Sequence, residues 1–112
     1  TEKEAVIQPA AYGHLDILKY FFEERKIPDV VKIACVGTAA EFGRLDCIKY
    51  LVEEAKVPLN YWVHIASARY HEQPDCENYL LEKGCPEPTD EEYARFVEAT
   101  EKAQAREREA AS

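Results

Sequence analysis

The sequence predicts an all-α chain: a helix-turn-helix solenoid of about three repeats, closed by a C-terminal capping helix. Three observations carry this. Ala10–Pro28 and Ala40–Pro58 share 10 of 19 residues at an offset of 30. Apolar residues recur within each copy at helical rather than alternating spacing. A capping signal at Thr89 then opens a long polar, helix-forming run. A period near 30 residues describes units that bury their apolar faces only by stacking on one another.

The 112 residues carry 46% hydrophobic and 32% charged side chains, a globular composition. The formal net charge of −8 argues against nucleic acid, whose phosphates demand a basic face. It argues equally against anionic membrane surfaces. No apolar run reaches the ~20 residues that span a bilayer, and no basic-then-apolar leader is present. Position 1 is Thr, as in a processed or excised piece of a longer chain.

Each unit reads as two helices. Val6-Ile7, Cys35-Val36 and Val63–Ile65 lie in short, Ala-rich first helices. Gly13 and Gly43 end the first two, supplying the left-handed C-cap position. The second helices follow at once, with Asp16, Asp46 and Asp75 in the first turn, where a carboxylate meets the positive end of the helix dipole. In the third, weaker copy Glu72 replaces the glycine, and Pro74 takes a first-turn position that needs no N–H donor. Apolar stripes run through 15, 17, 18, 21 and 22 and through 45, 47, 48, 51 and 52. Pro28, Pro58 and Pro86 stop these helices, with about five residues expected before the next one. The units are placed at about 4–28, 33–58 and 62–86, within a repeat region 1–88. Residues 89–112 form the cap and a polar tail. In the cap, Thr89 and Glu92 form a capping box and Tyr93, Phe96 and Val97 supply the apolar face, with helix expected to about Arg106. No equivalent polar cap precedes the first unit, so upstream repeats or a neighbouring chain are expected to cover it.

Ala10–Glu23 and Ala39–Glu53, with their Gly-His/Arg-Leu-Asp core followed by Lys-Tyr and an acidic end, resemble the ankyrin repeat. The resemblance spans about residues 4–88. The Thr-Pro-Leu-His opening is absent, and the period falls short of the family's ~33, so the projecting hairpin is expected to shrink to a turn. The resemblance implies a protein-protein interaction scaffold that binds a protein partner on its concave face. A structural segment of a larger assembly is the alternative.

Chemical groups are sparse. Cys35, Cys47, Cys76 and Cys85 show no C-x-x-C spacing, and are read as reduced core thiols rather than zinc ligands or disulfides. That points to an intracellular, cytoplasmic setting. Cys35 and His64 share a slot of adjacent units, too far apart for a nucleophile pair. His14 is expected to bond backbone at the inter-helix turn. Glu23-Glu24, Glu53-Glu54 and Glu82 read as a solvated face. Tyr20, Tyr50 and Tyr79 form a column packed between units. No nucleophile elbow or phosphate loop occurs, so no catalytic residue, metal or cofactor is assigned. The partner-binding candidates are the aromatic and apolar side chains at the variable slots: Tyr12, Ile33, Phe42, Trp62, Tyr70 and His71.

Overall fold

The computed structural model describes residues 2–111. Among these there are helices and no strands. The helices are α1 (Glu2–Tyr12), α2 (Leu15–Glu24), α3 (Asp29–Glu41), α4 (Leu45–Lys49, continued by a π-helical turn Tyr50–Glu54), α5 (Val63–Tyr70), α6 (Pro74–Glu82) and α7 (Asp90–Ala111). None is long and apolar enough to cross a membrane.

The helices pair as α1–α2, α3–α4 and α5–α6. One row follows the order α1, α3, α5, α7, and a second follows α2, α4, α6. Between the rows lies a core of small and aliphatic side chains, among them Val6, Ala10, Leu18, Cys35, Val36, Ile48, Leu51, Ile65 and Leu80. Buried alanines at 10, 39, 40 and 68 let the first helices lie close to the second. At roughly 25 cal/mol per Å² of apolar surface, each buried Leu or Ile contributes on the order of 1.5–3 kcal/mol.

The turn between paired helices repeats. Gly13 and Gly43 have φ of 74° and 72°, and Glu72 adopts the same left-handed conformation at φ 55°. Side chains just past this turn tie each unit to the one before. Arg44 Nε donates to the Ala11 carbonyl at 2.9 Å, and Gln73 Nε2 donates to the Glu41 carbonyl at 3.2 Å. His14, in the same slot, makes no such bond. Its expected backbone role is corrected, because no helix among the described residues offers it a carbonyl. The tyrosine column is corrected likewise. Tyr50 is buried edge-on to Phe22, and Tyr79 donates its hydroxyl to Glu53, but Tyr20 is exposed.

Three boundaries differ from the sequence expectation. Pro28 N-caps α3, with φ −62° already set for helix entry, so α3 starts at Asp29 with no five-residue connector. The chain from Leu51 to Val57 is one residue longer than its counterpart from Leu80 to Cys85. The π turn absorbs that residue: Ala55 N–H donates to Tyr50 C=O, and Val57 N–H donates to Leu51 C=O with Lys56 at φ 58°. Leu51 and Val57 both stay buried. Finally, α7 continues past Arg106 to Ala111, and a Glu98–Lys102 pair at 2.8 Å supports its middle.

Candidate functional site

A groove runs across the first-row helices α3, α5 and α7. Helix α3 contributes Ile33, Ala34, Gly37, Thr38 and Glu41, a single helical face. From α5 come Val63, His64, Ser67 and His71's flank, and from α7 come Phe96 and Thr100. Its volume is about 410 Å³. Small residues form its floor: Ser67 Oγ donates to the Gly37 carbonyl at 3.5 Å, drawing α5 onto α3. Its walls are the apolar Ile33, Val63 and Phe96, and one end is closed by His71 Nε2 against Glu41 at 3.3 Å.

Helix α7 is fixed in place by its start and its apolar edge. Thr89 Oγ1 accepts from the Glu92 N–H at 3.1 Å, and Glu92 returns the bond to the Thr89 N–H at 2.9 Å. The predicted capping box is therefore formed on both sides. Phe96 then meets Tyr70 edge-on at 6.2 Å, and the Arg69 guanidinium lies over the Tyr93 ring. Arg69 itself is anchored by Glu77 at 2.8 Å and Glu87 at 3.0 Å.

The six candidate residues lie in the groove, beside its lining residues, and at the turn before it. Ile33 and His71 line the groove. Phe42 follows the groove residue Glu41 and is exposed, and Tyr12 is exposed at the preceding turn, with its ring near His14. Tyr70 is half-buried between His71 and Phe96. Trp62 is half-buried at the start of α5. Thr38, Glu41, Val63, Phe96 and Thr100 were not among the candidates. Thr38 and Ser67 occupy matching slots of successive first helices, and that small polar pair was the available signal for the groove floor. Phe96 and Thr100 carry no repeat signal.

No protein-family model matches the chain, and no curated protein or solved structure matches it.

The reactive groups are inward-facing. All four cysteines are buried and free. Burial pushes the Cys35 thiol up to about 12, with a smaller contribution from Cys47. Burial also raises Cys47, Cys76 and Cys85. Cys35 donates to the Val6 carbonyl, while His64 Nε2 lies 3.2 Å from the Ile33 carbonyl. Each ties its helix to the preceding first helix, and they do not pair with each other. Burial pushes His64 below the ordinary histidine value, partly offset by the Ile33 carbonyl, and its Nδ1 has no partner. Among the described residues no three His, Cys, Asp or Glu side chains gather as a metal site. A larger cleft of about 760 Å³ lies where α2 ends and α3 begins. Charges of both signs ring it (Glu23, Arg25, Lys26, Asp29, Lys32 and Glu54), all but Lys32 exposed, so it presents a solvated rim rather than a binding wall.

Proposed function

We propose that this chain is a protein-binding module, an atypical ankyrin-like array that takes a protein partner across α3, α5 and α7. One observation carries the reading: the groove has apolar walls, Val63 among them still exposed, and exposed Phe42 follows its lining residue Glu41. Exposed apolar residues beside a shaped groove are the usual anchors of a protein interface. The reading is non-catalytic, and the raised thiols support it, since a nucleophilic cysteine needs ready access to its thiolate. We place the module in a reducing compartment because its four cysteines are unpaired.

A photo-crosslinking amino acid at Thr38 should yield a discrete protein adduct in cells of the source, whereas one at Asn78 on α6 should not. Against the partner so recovered, Phe42→Ala combined with Val63→Ala should weaken Kd by about 2–4 kcal/mol, roughly 30- to 1,000-fold. The thermal midpoint should stay close to that of the parent, because both side chains are already exposed. Unchanged affinity in the folded double variant, or equal adducts from Asn78, would sink this reading. The alternative, a segment of a larger assembly, is favoured by exposed Ile17 and Tyr20 on α2.

A further inference from the structure

The two ends of the helix rows differ slot by slot. Ile17, Cys47 and Cys76 occupy one slot of successive second helices. The two cysteines are each 1% exposed, whereas Ile17 is 44% exposed. Tyr50 is 6% exposed beneath the Lys19 ammonium of the preceding helix, and Tyr79 lies beneath Lys49 of its own predecessor. Tyr20, in that slot of α2, is 56% exposed. The turn slot agrees: Arg44 and Gln73 reach back to a carbonyl, and His14 has none to reach.

The other end is built differently. Leu18 and Ile48 are fully buried, each in the slot that Glu77 holds on α6. Glu77 is polar there and is neutralised by Arg69. The row therefore closes with an ion pair at α6 and stays apolar at α2.

We propose that the α1–α2 end docks another helix pair of this same repeat type, stacked in the direction of the internal pairs. The occupant follows from continuity with the two interfaces already formed, α2 on α4 and α4 on α6. It would set an aliphatic side chain, in the Leu18 and Ile48 slot, over Ile17. It would set a lysine, in the Lys19 and Lys49 slot, over the Tyr20 ring. The end of its first helix would offer His14 a carbonyl. The α6 end of a second copy does not fit these requirements, because it presents Glu77 where an aliphatic is needed. The proposal is independent of the groove on α3, α5 and α7.

The test adds a copy of residues 29–60 directly before Thr1, which reproduces the spacing between Pro28 and Cys35. The extended chain should melt in one transition, with a midpoint about 5 °C or more above the parent. Ile17→Asp should leave the parent's midpoint almost unmoved and lower that of the extended chain by a similar amount. A copied unit that melts separately, or an Ile17→Asp change without effect in the extended chain, would overturn the proposal. So would sedimentation of the parent as a dimer that Ile17→Asp converts to monomer, which would assign the face to a second copy.

Discussion

Gly43 and Glu72 hold the same turn slot with the same left-handed backbone, but only one is a glycine. A Cβ on Gly43 would collide with the Gln73 side-chain amide, itself held at 3.2 Å by the Glu41 carbonyl. Gly43→Val should therefore cost about 1–3 kcal/mol, from backbone strain and the lost tie together. Glu72→Gly should do the reverse, raising stability by about 0.5–1 kcal/mol as the strain is relieved against a more flexible unfolded chain. Chemical denaturation of both variants checks the pair, and equal signs would mean the turn is misassigned. His64 supplies a pH effect. Burial holds its folded-state pKa below the unfolded value, so the unfolded chain binds the proton first as pH falls. Stability should decline as pH drops below the ordinary histidine pKa, levelling off only below the depressed folded-state value. His64→Cys, copying the Cys35 slot, should flatten that part of the profile. An unchanged slope would assign the effect to other groups.

At the scale of elements, what was legible followed from residues that act on their own backbone. Gly13 and Gly43 marked two turns, Pro74 marked the start of α6, and Thr89 with Glu92 marked the start of α7. Pro28 stops α2 in the sequence, yet it is also a start, because its fixed φ suits the residue ahead of a helix. The π turn was not legible. The extra residue between Leu51 and Val57 is visible on comparison with Leu80–Cys85, but no Gly or Pro in that stretch says whether the helix widens or the loop lengthens. Burial of the ends does not decide it, since Phe21–Ile27 has the same length and a buried Ile27, yet α2 ends without a π turn. In the groove, Ile33 and His71 came from repeat slots. Phe96 and Thr100 escaped because α7 has no earlier copy to be compared with, and its place against α5 is a tertiary outcome.

For the whole molecule, the four thiols form a built-in reporter, since they lie in α3, in α4, in α6 and just after α6. All are buried and all have raised pKa values, so a thiol reagent at pH 8 should react with the native chain far more slowly than with the denatured one. Rates resolved by residue would then map local opening. Rapid labelling of Cys35 in the native chain would contradict its place in the core.

The ties between units have a mechanical meaning. Arg44 to Ala11, Gln73 to Glu41, Cys35 to Val6 and His64 to Ile33 each bridge about 30 residues, and each joins a unit only to its immediate predecessor. Tension applied at the two termini thus meets no single bolt that spans the molecule. All junctions carry the same tension in series, and each one that yields pays out about 100 Å of slack. Such a chain behaves as a spring of separate coils, giving way stepwise rather than breaking at once.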